Sequence, residues 1–276
     1  MDSLPAPRLL RHTPGTIENL SANAAHRFAA QHALVHYASG AVFTFIPKNA
    51  CTSLRVSLAL ANGVIADPAD WGWVHQNNTT FSATLSELAR ASRTAVVLRC
   101  PFSRLVSTFL DKIVSRDREF WALHRLSRDT IDPDTLTFRQ FVDWIGRPGF
   151  FRADIHWRPQ VDFLVYAHYD DVFSMADLTG FATCFSASTG QAFVDARPLS
   201  GHATSSYAAS QGGCHADTPL LTLLLDKSKG LLPRPQDLYD APLIAQVRRL
   251  YAKDLELYLD LIGPKGLLFP QAEDLA

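Results

Sequence analysis

The segment from Val42 to Ala61 constrains the fold more than any other part of the chain. Val42-Phe43-Thr44-Phe45-Ile46 is β-branched and aromatic, the composition of a buried strand. Leu54 to Ala61 is rich in Leu, Ala and Val and carries no breaker, which predicts a helix, with Asn62-Gly63 as its C-terminal stop. Pro47-Lys48-Asn49-Ala50-Cys51-Thr52-Ser53 must then turn tightly from the strand into the helix. A helix N-terminus presents unpaired N–H groups and the positive end of a dipole, which together suit a phosphate or sulfate. Lys48 adds a mobile point charge, and Thr52 and Ser53 add hydroxyls.

A second stretch repeats this plan. Ala95 to Leu98 reads as a compact strand ending at Arg99, and Pro101 suits the first position of a helix. Phe102, Leu105, Val106, Phe109, Leu110 and Ile113 then recur at helical spacing, with Arg104 and Ser107 among them. Two strand–turn–helix units, each ending in cations and hydroxyls, point to an anionic ligand held at two places. The nucleotide P-loop pattern does not fit, because the 46–55 loop has neither glycine and its Lys precedes the turn.

Composition narrows the class. The 276 residues are 47% hydrophobic and 19% charged, so a substantial core is expected. The net charge of −1 gives no basic excess for nucleic acid, so anion binding must be local. Cys51, Cys100, Cys184 and Cys214 form no CxxC pair or zinc pattern, which favours free thiols in a reducing, cytoplasmic setting. No leader pattern is visible, and no window reaches the roughly 18 apolar residues of a membrane helix.

Along the rest of the chain, residues 1–30 read as a flexible arm and 31–276 as one domain. His32–Tyr37 is a candidate strand, Ser39-Gly40 a turn, and Thr84–Ala91 a short helix. A charged helix and loop are expected over 116–135, and Phe138–Ile145 is an amphipathic helix ended by Gly146 and Pro148. The 184–240 stretch, with Ser200-Gly201-His202-Ala203-Thr204-Ser205-Ser206, suggests a mobile loop. Pro242 to Ile262 predicts one long helix with Leu243, Val247, Leu250, Tyr251, Leu255, Tyr258 and Ile262 on its core face.

The loop Pro47-Lys48-Asn49-Ala50-Cys51-Thr52-Ser53 resembles the 5′-phosphosulfate loop of sulfotransferases that use 3′-phosphoadenosine 5′-phosphosulfate (PAPS). Its Lys-x-Ala-Cys-Thr form resembles the carbohydrate group of the chondroitin, dermatan and HNK-1 type. Arg99-Cys100-Pro101-Phe102-Ser103-Arg104-Leu105-Val106-Ser107-Thr108-Phe109-Leu110-Asp111-Lys112 is similar to that family's 3′-phosphate motif, except that Cys100 replaces an acid. Phe138, Phe141 and Val142, then His156-Trp157-Arg158-Pro159-Gln160, Tyr166–Phe173 and the last helix extend the resemblance to about residue 262. The family's Glu after the Tyr-Asp strand is missing, with Met175-Ala176 in the region.

The resemblance implies an α/β, P-loop-like three-layer fold, with a central parallel sheet flanked by helices. It implies transfer of a sulfuryl group from PAPS, leaving 3′,5′-ADP, to a hydroxyl acceptor, with no metal; by resemblance alone that acceptor is a carbohydrate. The donor ligands would be Lys48, Asn49, Ala50, Cys51, Thr52, Ser53 and Leu54 at one end and Arg99 and Ser107 at the other. Lys48 would also stabilise charge on the leaving phosphate. His75, in the aromatic loop Trp71-Gly72-Trp73-Val74-His75, is the candidate general base, with His156 as its rival. Trp71, Trp73 and Trp157 are open as sugar-stacking or as core residues. Two other classes remain open: a kinase with a degenerate P-loop, and an inactive nucleotide-sensing module. A lipid or other small alcohol is the alternative acceptor.

Overall fold

The structure is a computed structural model that describes residues 8–14, 19–200 and 207–270. In chain order its elements are α1 (Ala24–Gln31), β1 (Ala33–Val35), β2 (Val42–Thr44), α2 (Cys51–Ala61), α3 (Trp73–Gln76), α4 (Leu85–Ala89), β3 (Thr94–Leu98) and α5 (Pro101–Thr108). They continue through α6 (Arg118–Leu126), α7 (Phe138–Ile145), β4 (Asp171–Ser174), α8 (Leu178–Thr189), α9 (Arg197–Ser200), β5 (Ala208–Ala209) and α10 (Leu220–Ser228). Last come β6 (Leu231–Leu232), α11 (Ala241–Leu250) and α12 (Ala252–Leu261). The chain divides into two compact units: residues 1–99 with 160–201, and residues 100–159 with 202–276.

The first unit contains a four-stranded sheet in the order β1-β2-β3-β4. β2 pairs with β3, and β3 with β4, in parallel, as a chain of strand–helix units requires. β1 runs antiparallel to β2, joined through a turn at Gly40, whose φ of +71° suits glycine. The sheet is therefore mixed, not wholly parallel as expected. The two faces read from alternate residues. Leu34, Phe43, Ala95 and Val97 pack with Leu54 and Leu58 of α2 and with Phe181 and Phe185 of α8. Ala33, Val35 and Val42 pack with Ala29 of α1 and Leu88 of α4. Helices thus cover both faces of the sheet.

The region expected to be a loose arm contains α1, capped by Asn23, and Leu10, which is buried and bridges to Tyr166. The remainder of that stretch, 1–7 and 15–18, lies outside the described residues. So do residues 201–206 of the expected mobile loop.

The second unit is built on a separate apolar cluster. Phe102, Phe109, Phe120, Phe138, Phe141 and Trp157 are all essentially inaccessible in it. Trp157 is core and not a sugar platform; its indole N–H donates to Phe150 O at 3.0 Å. Capping boxes start α4 at Thr84 and α7 at Thr137, where a hydroxyl residue is followed three positions later by Glu or Gln. α5 starts with Pro101 at its first turn and passes into a π-helical turn over Phe109–Ile113. The long helix expected over 242–262 is two helices, broken at Tyr251. That residue's hydroxyl donates to Trp157 O at 2.5 Å, fixing the ring in the core where the backbone bends. No helix among the described residues is long and apolar enough to cross a membrane.

An exposed edge of the sheet is pinned by charge. Arg93 Nε lies 2.5 Å from Asp171 Oδ2. The Arg93 hydrogen bond holds the Asp171 carboxyl below its ordinary range. A carboxyl depressed in the fold stabilises it above the unfolded value near 4, and that contribution is lost as pH falls through the lower folded value. Melting temperature measured from pH 6 down to pH 2 should therefore fall less steeply for Asp171→Asn than for the unmodified chain.

Candidate functional site

The turn between β2 and α2 is bent by two residues in the left-handed region, Lys48 at φ +71° and Ala50 at φ +55°. Non-glycine residues rarely adopt that conformation, at a cost of about 1–2 kcal/mol each. Something must hold them there. Asn49, between them, is 3% exposed, and its backbone N–H donates to Ile46 O at 3.1 Å. Its side-chain Nδ2 donates to Val97 O at 2.9 Å and to Gln160 Oε1 at 2.7 Å. Asn49 Oδ1 is buried with no partner, so the two donations fix the amide.

α2 begins at Ala50 without any side-chain cap. The Leu54 N–H already donates to Ala50 O at 3.0 Å. Among the described residues no protein acceptor meets the N–H groups of Ala50, Cys51, Thr52 or Ser53. A nest of such groups at a helix start is an anion cradle.

Arg99, at the end of β3, lies against this cradle. Its Nη1 donates to Lys48 O at 2.7 Å. Its backbone is clamped from the other side by Gln160, whose Oε1 accepts from Arg99 N at 3.0 Å and whose Nε2 donates to Arg99 O at 2.8 Å. Gln160 is 1% exposed, so both ends of its amide work in a desolvated setting. One side chain therefore joins the Asn49 amide to the Arg99 backbone. The sequence contained Gln160 inside His-Trp-x-x-Gln, but nothing in the spacing assigned it this role.

The other expected residues divide sharply. Leu54 is core. Ser53 is 2% exposed, and its Oγ accepts from Ala196 N at 3.0 Å and donates to Asp195 Oδ1 at 3.4 Å. Its hydroxyl is thus committed to the chain after α8, and only its N–H faces the cradle requirement. Ser57, one turn on, makes the matching contact by accepting from Val194 N at 2.8 Å. Cys51 and Thr52 are half-buried, as is Lys48.

His75 sits exposed on α3. Its ring lies edge-on to Trp71, with centroids 5.5 Å apart. Asn78 Nδ2 donates to His75 O at 3.3 Å, and Asn78 Oδ1 accepts from the Arg55 guanidinium. Arg55, on α2, is 6% exposed and lies over the Phe45 ring. Burial pushes its pKa below the ordinary guanidinium value. Arg55 thereby ties the loop bearing His75 to the helix that opens the cradle, a link the sequence reading missed.

Ser107 and Arg104 belong to the second unit, on α5. Ser107 is half-buried. Arg104 is 2% exposed and donates to Arg158 O at 2.7 Å and Ile155 O at 3.1 Å, so it braces the turn that carries His156. Cys100, standing where the resembled motif has an acid, is buried, and its Sγ accepts from Leu268 N at 3.3 Å. A thiol suits this apolar setting better than a carboxylate would.

A family model described as the sulfotransferase family matches residues 31–190, more than half of the chain. The matched region includes the cradle, β3, Arg99, α5 and Gln160. No curated protein and no solved structure matches the chain.

Removing the brace tests this reading of the site. Gln160→Ala leaves the Arg99 N–H and C=O and one Asn49 donor without their partner, at a cost of about 2–4 kcal/mol in stability. Denaturant unfolding should report that loss. Gln160→Glu, which keeps an acceptor but loses the donor to Arg99 O, should fall between the two.

Proposed function

Because the chain belongs to the sulfotransferase family, and is therefore an enzyme of that class, we propose that it moves a sulfuryl group from PAPS to a hydroxyl acceptor by in-line transfer. The single observation that carries the donor assignment is the 2.7 Å contact of Arg99 Nη1 with Lys48 O, braced by Gln160. It brings the ends of two strand–turn–helix motifs together beside a helix start with unclaimed N–H groups. Those groups and that charge fit a phosphosulfate, and the site is proposed within a P-loop-like fold.

In this proposal the N–H groups of Ala50, Cys51, Thr52 and Ser53 hold the 5′ end of the donor, and the Thr52 hydroxyl adds a further ligand. Lys48 neutralises charge that grows on the leaving phosphate oxygen as its bond to sulfur breaks. Arg99 holds the 3′-phosphate. Ser107 is assigned to the same phosphate from the motif spacing. His75 takes the acceptor's hydroxyl proton as the new O–S bond forms. The donor phosphate leaves as part of 3′,5′-ADP, so no further reactant is needed. A carbohydrate is the preferred acceptor, on resemblance. Half-buried Trp71 and Trp73, four and two residues before His75, pack partly against the core and keep some ring surface exposed, which supports that preference as candidate ring platforms.

Thermal shift tests the donor assignment directly. 3′,5′-ADP should raise the melting temperature well above the effect of 5′-AMP or of ATP with Mg²⁺. A preference for ATP with Mg²⁺ would instead select a kinase, and no shift with any nucleotide an inactive module.

Point variants separate the roles. Lys48→Ala should lower kcat about 100-fold or more while 3′,5′-ADP still binds. Arg99→Ala should erase the preference for 3′,5′-ADP over 5′-AMP. His75→Ala should keep the 3′,5′-ADP shift and lose about 100-fold in kcat; retained turnover would move the base elsewhere, with His156 next.

A further inference from the structure

The short helix that carries His75 cannot set its own position. α3 is a single turn of four residues, Trp73–Gln76, and Gly72 before it gives no side-chain cap. One isolated turn is not stable alone, so contacts from elsewhere must place it. Val74 is 1% exposed, and Trp73 packs against the cluster shared by α2 and α8. Two asparagines take carbonyls of the turn: Asn77 Nδ2 donates to Trp73 O at 3.0 Å, and Asn78 Nδ2 to His75 O at 3.3 Å. The Asn78 amide also reaches back to α2, because its Oδ1 accepts from the Arg55 guanidinium.

Arg55 is a costly residue to use as a mere tie. It is 6% exposed, and its guanidinium lies 5.4 Å from the Phe45 ring centroid. Among the described residues no carboxylate pairs with it, and burial depresses its pKa. An aromatic face and a neutral amide return only part of the cost of taking a cation out of water. An apolar side chain of similar length would fill the space and favour stability.

The place of Arg55 supplies another reason for the charge. α2 opens the cradle at Cys51, four residues earlier, and Asn78 carries the contact on to the His75 backbone. We propose that Arg55 is a positioning residue that acts through Asn78 to fix His75 relative to the donor cradle. This rests on the assignment of His75 as the base. Donor and base are then both referred to one rigid helix, which is what an in-line transfer requires of its geometry. The guanidinium itself moves no proton.

Three variants of the full chain test this: Arg55→Met, Asn78→Ala and the two together. Arg55→Met should melt no lower than the unmodified chain, because an unpaired cation leaves the core. The melting-temperature shift with 3′,5′-ADP should be the same in all three. Turnover is read as 3′,5′-ADP released from PAPS with chondroitin as acceptor or, where chondroitin is not sulfated, with water. It should fall about tenfold in kcat at unchanged KM for PAPS. The double variant should lose no more than either single one, since both act through one contact. Arg55→Lys, which keeps the charge, should recover part of the rate. Asn78→Ala, at an exposed residue, carries the kinetic test without disturbing the core. The imidazole NMR signals of His75 need no turnover: in both single variants they should move toward unfolded-chain values. Unmoved signals, a retained kcat, losses that add in the double variant, or a melting temperature of Arg55→Met that falls in step with kcat each overturn the proposal. A kcat lost in His75→Ala but kept in Arg55→Met removes this inference and leaves the base assignment standing. Full turnover in His75→Ala removes the base assignment and this inference with it.

Discussion

The first unit depends on one buried amide. Gln160 has one carbonyl and one NH₂ group, and three of the hydrogen bonds they can make are found: from Asn49, from Arg99 N, and to Arg99 O. Each is worth about 1 kcal/mol net, but a buried group left unpaired costs more than its bond contributes. The brace therefore constrains Asn49 and Arg99 together. It fixes Asn49, and Asn49 sits between the two left-handed residues that turn the cradle. The strain of that turn is sustained because its centre is held from both β3 and the segment at 160.

This explains why the loop needs no glycine. In a glycine-rich anion loop, conformational freedom permits the turn. Here Lys48 and Ala50 reach the same region of backbone space through hydrogen bonds made elsewhere. The return is that Lys48, a charged side chain, can occupy a position where the backbone is sharply bent. Its carbonyl also becomes an acceptor for Arg99. The carbonyl, in turn, helps to orient the Arg99 guanidinium at the strand end. Backbone strain and side-chain orientation are thus two aspects of one network.

Much of this was legible in the chain because it is local. Apolar runs bounded by Gly and Pro located β2, α2, β3 and α5, although α2 starts three residues before the expected Leu54 and α5 gives way to a π-helical turn at Phe109; the Thr-x-x-Glu and Thr-x-x-Gln patterns mark α4 and α7. What was not legible is long-range. Ser53 looked like a ligand because a hydroxyl at a helix start suits an anion, yet it is claimed by Ala196, 143 positions away. Gln160 meets Asn49 across 111 positions. The antiparallel β1 and the break at Tyr251 are likewise decided by partners: β2 for the first and Trp157 for the second. Periodicity reports the face a residue turns, not the atom it finds there.

The same distinction governs the residues of His156-Trp157-Arg158-Pro159-Gln160. Read as a motif they invite one shared role. Placed in the fold they separate. Trp157 is core, Gln160 belongs to the first unit as its brace, and His156 belongs to the second, beside Asp154 and Glu119. A five-residue segment can reach three unrelated surroundings because successive side chains leave an irregular turn in different directions. Arg104 and Thr108 hold that turn by its carbonyls, at 155, 156 and 158, and so constrain its backbone. The side chains are then free to specialise, which is why the motif's spacing is informative while its residue roles have to be argued one at a time.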